Sequence, residues 1–195
     1  MLRGAQPFAM SEPRNAIRAK LVIGLLFNNK ALLPHLAGEM ETAAGPIDMV
    51  SPWMTFDYTD YYTPEMGKPL FRRLLVFKEL VAQMDLARIK RTTNELEQTH
   101  AVNGKRCVNI DPGYLLLERF VLATGKNYSH RIYIGRGIYA DLTLIFQQGT
   151  YRPLPWTYPD YADTQMISFL RQVRQRYAAD LRMLARPDPK GSEQG

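Results

Sequence analysis

From Lys20 to Phe27 the chain reads Lys-Leu-Val-Ile-Gly-Leu-Leu-Phe, apolar at nearly every step. A half-exposed strand would alternate, so this run predicts a central strand buried on both faces. Asn28-Asn29 offers a helix cap, and residues 28–44 predict a helix that Gly45-Pro46 ends, with Pro34 making its start late or irregular. Residues 47–56 predict a strand at an edge or bulge, because Pro52 has no N–H for a ladder. Residues 70–80 predict another strand. Leu86, Ile89, Thr93, Leu96 and His100 fall at helical spacing, so a helix is expected from an N-cap at Asp85 to about Val102, closed by Asn103-Gly104.

Beyond it, Arg106-Cys107-Val108-Asn109-Ile110 reads as a buried strand and Asp111-Pro112-Gly113 as a type II turn, Pro presetting φ and Gly supplying φ > 0. Residues 114–124 are apolar without a period that separates strand from helix. Residues 131–134 and 138–146 flank Gly135-Arg136-Gly137, a hairpin signature. Gln147-Gln148-Gly149 is a further turn, and a helix is expected over about residues 164–185.

The order strand, helix, strand, strand, helix, strand over residues 20–110 implies an α+β class. It is compatible with a ferredoxin-like βαββαβ half, followed by a β-meander and a closing C-terminal helix. Residues 1–18 and 187–195 are polar and turn-rich, which suits disordered tails around a single globular domain over residues 19–186. No repeat or internal linker suggests a second domain.

Composition changes this picture little. The single cysteine cannot form an internal disulfide, and no stretch approaches the roughly 20 apolar residues that span a bilayer, so a reducing, cytoplasmic setting without membrane contact is expected. The formal net charge is +6, yet residues 21–163 carry fifteen basic and fifteen acidic side chains, and the excess lies at the two ends. A neutral body argues against a strong electrostatic footprint for nucleic acid.

Candidate chemistry gathers near expected strand ends and turns. Asp57, Asp60 and Glu65 lie among Tyr58, Tyr61 and Tyr62, where carboxylates can act as acid or base and tyrosines can orient or stack on a ligand. Their ordinary alternative is a turn-capping loop. Asp111 sits at the end of a buried strand and could face a cleft. His130 and Arg131 precede the hairpin that carries Arg136 between two glycines, a set able to hold phosphate or carboxylate, or else a tight turn with a solvated arginine. Asp57, Glu65, Asp111 and His130 are thus the catalytic candidates, and Tyr61, Arg131 and Arg136 the ligand-binding ones. Trp156, between prolines, is expected to pack onto the sheet, and His35 and His100 to be structural. No H-x-x-x-H or H-E-x-x-H spacing occurs and the three histidines are far apart in sequence, so no metal site is expected from them. The G-x-x-x-x-G-K-[ST] loop is absent, and Asn29-Lys30-Ala31-Leu32 lacks the aspartate that would read guanine.

Four segments carry a family resemblance: residues 56–62 with Glu65-Met66-Gly67; Asn109-Ile110-Asp111-Pro112-Gly113-Tyr114-Leu115; residues 129–140, Ser-His-Arg-Ile-Tyr-Ile-Gly-Arg-Gly-Ile-Tyr-Ala; and Pro155-Trp156-Thr157-Tyr158-Pro159-Asp160-Tyr161. Through them the chain, over about residues 19–184, resembles an uncharacterised bacterial and archaeal family, domain of unknown function 4416. Nothing catalytic is established for that family, so the resemblance carries no functional residue over to this chain and leaves the cofactor unknown.

Two functions are expected as alternatives. One is a small-molecule or nucleotide-related binding protein or enzyme whose partner is an anionic small molecule or nucleotide. The other is a non-enzymatic RNA- or protein-interaction module using the basic C-terminal helix, with Arg171, Arg174, Arg176, Arg182 and Arg186. Whether the seven candidate side chains converge distinguishes them.

Overall fold

A computed structural model describes residues 12–185. Its centre is strand β1 (Ala19–Phe27), buried at every position as the apolar run predicts. Helix α1 (Leu33–Ala44) follows a short 3-10 turn, and Pro34 sits harmlessly in its first turn, where no N–H is needed. Gly45, at φ 87°, ends it. The region around Pro52 divides into β2 (Ile47–Val50) and β3 (Met54–Phe56), which lie along one edge of β4 (Leu70–Val81). Between them Ser51 stands in for a ladder residue: its N–H donates to the Leu74 carbonyl at 3.0 Å, and its hydroxyl accepts from the Leu74 N–H at 2.9 Å. The short helix α2 (Thr63–Met66) links β3 to β4, and α3 (Leu86–Thr99) links β4 to β5 (Val108–Leu115). Asp85 makes no side-chain cap; a 3-10 turn over Gln83–Asp85 leads into α3 instead.

These strands assemble in the order β2-β4-β1-β5, every neighbouring pair antiparallel. Each crossover helix therefore joins two strands that have a third between them. Cluster by cluster, α1 and α3 cover one face through Leu36, Met40 and Ile89 against Leu21, Ile23 and Ile110. The other face carries Val22, Leu74 and Leu115 and is covered by α5 (Thr164–Leu184) through Met166, Phe169, Leu170, Val173 and Tyr177. Two apolar faces on one sheet explain why β1 does not alternate. Lys20, the second residue of β1, is fully buried. Its Nζ bridges Asp48 of β2 at 2.9 Å and Asp180 of α5 at 2.8 Å.

The second half extends the same sheet with β6 (Arg119–Thr124), β7 (Arg131–Gly135), β8 (Ile138–Gln147) and β9 (Thr150–Pro153). Residues 114–124 are thus a hairpin of the end of β5 and all of β6, its turn closed by the Leu116 N–H on the Arg119 carbonyl. The expected meander is corrected in its order, which runs β5-β6-β8-β7. Strand β8 lies between β6 on one side and both β7 and β9 on the other. In the gap between β7 and β9 the indole N–H of Trp156 donates to Leu142 O at 2.8 Å, while the Thr157 hydroxyl binds the Thr143 carbonyl. Helix α4 (Pro159–Ala162) precedes α5, whose first turn is capped by the Asp163 carboxylate accepting from the Gln165 N–H at 2.7 Å.

The result is a single α+β domain with a nine-stranded open antiparallel sheet and a long C-terminal helix. No helix among the described residues is long and apolar enough to cross a membrane. Of the tail expected over residues 1–18, residues 12–18 hold no regular element and residues 1–11 lie outside the described residues, as does the tail expected over residues 187–195.

Candidate functional site

The turn expected at Asp111-Pro112-Gly113 is not a turn. All three residues lie inside β5, paired with Gly24, Ile23 and Val22 of β1. On its other side β5 meets β6 only over Gly113–Leu115, opposite Phe120–Leu122, so the two strands splay apart before Gly113. The residues at this fork explain it. Backbone groups in a strand point alternately to its two neighbours. Ile110 directs its N–H and C=O to the side where β6 is missing, and helix α3 satisfies both: Glu97 Oε1 accepts from the Ile110 N–H at 2.7 Å and Lys90 Nζ donates to the Ile110 carbonyl at 2.6 Å. Two residues on, Pro112 has no N–H to satisfy. At Gly113 the strands close so tightly that a β-carbon would stand 2.5 Å from the Val121 carbonyl oxygen.

The fork opens a cavity of about 510 Å³, within the range of small-molecule sites. Asn109 and Asp111 of β5 line one wall, and Leu122, Ala123 and Thr124 of β6 the other. Lys90, Asn94 and Glu97 of α3 flank it together with Arg106, while Phe56, Tyr58, Tyr61 and Tyr62 cover it with Tyr158, Asp160 and Tyr161. The aromatic cover is ordered by edge-to-face packing of Phe56 with Tyr58 and Tyr62, and of Tyr61 with Tyr62.

At its floor lies Arg72 of β4, 4% exposed, with Nη2 2.8 Å from Asp160 Oδ2 and Nη1 3.5 Å from Asp111 Oδ2. The short approach to Asp160 is a charge contact without hydrogen-bond alignment. Arg72 Nε and Nη1, Asp160 Oδ2 and the Tyr161 hydroxyl are all buried without a hydrogen-bond partner. Burial raises the pKa of Asp160, partly offset by Arg72, and raises those of Tyr62 and Tyr161 well above the ordinary phenol value. Around this floor runs a connected network. Arg106 grips Glu65 with Nε at 2.9 Å and Nη2 at 2.8 Å, and its Nη1 reaches Glu97 at 3.2 Å and Asn109 Oδ1 at 3.0 Å. Asn109 Nδ2 in turn donates to Asp111 Oδ2 at 2.6 Å. The Arg106 hydrogen bonds hold the Glu65 carboxyl below its usual range, whereas burial raises that of Glu97. Four cationic and four acidic side chains line the cavity, so its charge balances.

Of the seven side chains chosen from sequence, Asp111 and Tyr61 line this cavity. Glu65 does not line it and is held by Arg106, itself a lining residue. Arg131 and His130 both meet Asp141, a lining residue, at 2.8 and 3.3 Å, and Arg131 also donates to the Tyr158 hydroxyl at 2.9 Å. His130 is stacked on Trp156, ring centroids 4.8 Å apart and planes 9° from parallel. Asp57 points to solvent beside Lys68, and Arg136 is at the tip of the β7–β8 hairpin at φ 57°; neither borders the cavity. A solvent-facing turn can sit at a strand end without facing a cleft, so position in sequence could not place these two. Cys107 precedes β5 and is half-buried, not part of the strand.

Arg72, Lys90, Glu97, Arg106, Asp160 and Tyr161 were not singled out by sequence reasoning. Charged residues inside an amphipathic helix and an apolar strand carried the signal: Lys90 and Glu97 are seven apart on α3, and Arg72 interrupts an apolar stretch of β4. Of the arginines expected to form a basic face on the last helix, Arg174 donates to Leu117 O at 2.6 Å and Arg176 to Asp48 at 2.8 Å. Arg186 lies outside the described residues. His35 and His100, expected to be structural, meet on either side of Glu39, because α1 and α3 lie side by side.

A family model, domain of unknown function (DUF4416), matches residues 17–177, and the chain belongs to that family. No curated protein and no solved structure matches the chain.

Proposed function

We propose that this DUF4416 protein binds a small polar molecule carrying a planar ring, of nucleoside or nucleotide type, in the cavity at the β5–β6 fork. The observation that carries this reading is the set of buried groups without hydrogen-bond partners at the floor: Arg72 Nε and Nη1, Asp160 Oδ2 and the Tyr161 hydroxyl. Leaving such groups unmatched costs about 1–3 kcal/mol each, and a ligand that donates and accepts at neighbouring atoms would match them. Because Asp111 and Asp160 already balance Arg72, the floor suits the mixed edge of a heterocycle better than an anion. Tyrosine rings offer stacking surface above it. An anionic substituent belongs at the rim, where Lys126 lies 4.6 Å over the Tyr61 ring and donates to its hydroxyl at 3.1 Å. Asp111 and Asp160 are the acid–base candidates for a reaction of the bound molecule.

The strand order β2-β4-β1-β5 with helices α1 and α3 as crossovers also supports describing residues 19–115 as a ferredoxin-like half.

The test is a calorimetric titration of the full chain with nucleosides, nucleoside monophosphates and sugar phosphates. Saturable binding of ring-bearing compounds, weakened at least about tenfold by Tyr61→Ala and by Arg72→Lys, is expected. Binding of sugar phosphates alone, or affinities unchanged in both variants, would overturn the reading.

A further inference from the structure

We propose that His35, Glu39 and His100 form a binding site for a divalent transition metal ion, of which zinc is the best match. Their ligating atoms, two imidazole nitrogens and a carboxylate oxygen, all lie within 4.8 Å of one another. The site is independent of the fork cavity, whose lining includes none of these residues.

The residues come together from two elements. His35 and Glu39 are four apart on α1 and so share one face of that helix. His100 caps the end of α3, and the packing of α1 and α3 on one face of the sheet brings its ring against that of His35, centroids 5.3 Å apart and nearly perpendicular. Both histidines aim the same ring atom at the carboxylate. His100 Nε2 is 2.6 Å from Glu39 Oε2, and His35 Nε2 is 3.4 Å from Glu39 Oε1.

Two Nε2 atoms converging on one carboxylate can each carry a proton, or all three groups can share one cation in place of those protons. Zinc with nitrogen ligands at about 2.0–2.1 Å needs neighbouring ligand atoms about 3.3 Å apart, and histidine with glutamate is a donor set that zinc takes in open sites. The present spacings, from 2.6 Å to at most 4.8 Å, bracket that value. His100 is held, its side chain 13% exposed, while His35 is 69% exposed and free to turn inward. Three protein ligands leave a fourth position for water or an exogenous group, and the exposure of His35 puts that position at the surface.

Zinc titration of the untagged, metal-free full chain by calorimetry is expected to give one saturable site. Cobalt in its place should give the visible ligand-field bands of a four- or five-coordinate ion. His35→Ala removes an exposed side chain and should leave the melting of the metal-free protein unchanged, yet lower zinc affinity at least about tenfold. His35→Ala with Glu39→Gln should abolish it. Absence of a saturable site, equal affinity in the wild type and the double variant, or binding lost in Cys107→Ser but retained in His35→Ala would each overturn the proposal. The contacts would then be a histidine–glutamate hydrogen bond and its exposed neighbour.

Discussion

The hydroxyl of Tyr161 lies 2.7 Å from where a β-carbon on Gly24 would stand. A glycine in the middle of the most buried strand therefore leaves the space into which the cavity floor is built, with Arg72 Nη1 at 3.3 Å from the same point. Gly24 is paired with Asp111 in β5 and Leu74 in β4, so the space lies at the centre of the sheet, beside the fork.

Gly24→Ala should accordingly destabilise the protein by about 1–3 kcal/mol through overpacking, and should weaken ligand binding with it. Tyr161→Phe removes the clashing oxygen. In denaturant titrations the double variant should be less destabilised than the sum of the two single changes, by about 0.5–3 kcal/mol. Strict additivity would show that Tyr161 does not occupy this space.

Lys90 should be among the most sensitive surface-remote positions. It is 7% exposed and is the donor for the Ile110 carbonyl, with Glu97 and Asp111 beside it at 3.7 and 3.5 Å. Lys90→Met leaves the Ile110 carbonyl without its donor and Glu97 with Arg106 as its remaining cation, a loss of about 1–3 kcal/mol. Adding Glu97→Gln should recover part of this. Chemical unfolding of the three proteins at neutral pH measures it.

The Glu65–Arg106 pair makes a pH prediction. Hydrogen bonds from Arg106 lower the folded-state pKa of Glu65 below its unfolded value of 4.5, so its stabilisation is present above that value. It is lost as pH falls through the folded pKa. Glu65→Gln should cost about 1 kcal/mol at pH 7, with the difference from wild type shrinking below about pH 4. A difference that stays constant across that range would exclude an ionised Glu65 as the source.

Side chains outside the cavity serve as controls. Asp57→Asn and Arg136→Ala should leave ligand affinity unchanged and stability within about 0.5 kcal/mol, since both are exposed. Asp111→Asn should weaken binding. Equal loss from all three would move the site to the β7–β8 hairpin.

Replacing Arg171 and Arg182 with glutamine tests the interaction-module alternative. Both are exposed on α5, whereas Arg174 and Arg176 are held by Leu117 and Asp48. RNA association is expected to be weak and salt-sensitive, and to fall further in this variant by filter binding at two salt concentrations.

Local sequence was enough for the elements that local physics controls. The unbroken apolar run of β1, the glycine after α1, the Gly-Arg-Gly hairpin and the long last helix all read correctly because period, caps and positive φ are properties of neighbouring residues. Tyr61 and Asp111, chosen from the sequence as polar groups near expected strand ends, line the cavity. Asp111-Pro112-Gly113 shows where this stops. Its turn chemistry is real, but pairing with β1 on one side and side chains from α3 on the other hold it extended. Tertiary structure alone decided the fork, because Lys90, Glu97, Arg72 and Asp160 come from three distant elements and acquire a role only where β5 and β6 part. It likewise joined His35 to His100 across two helices. A strand's second partner, and the space it leaves, are set by long-range packing that no window of adjacent residues contains.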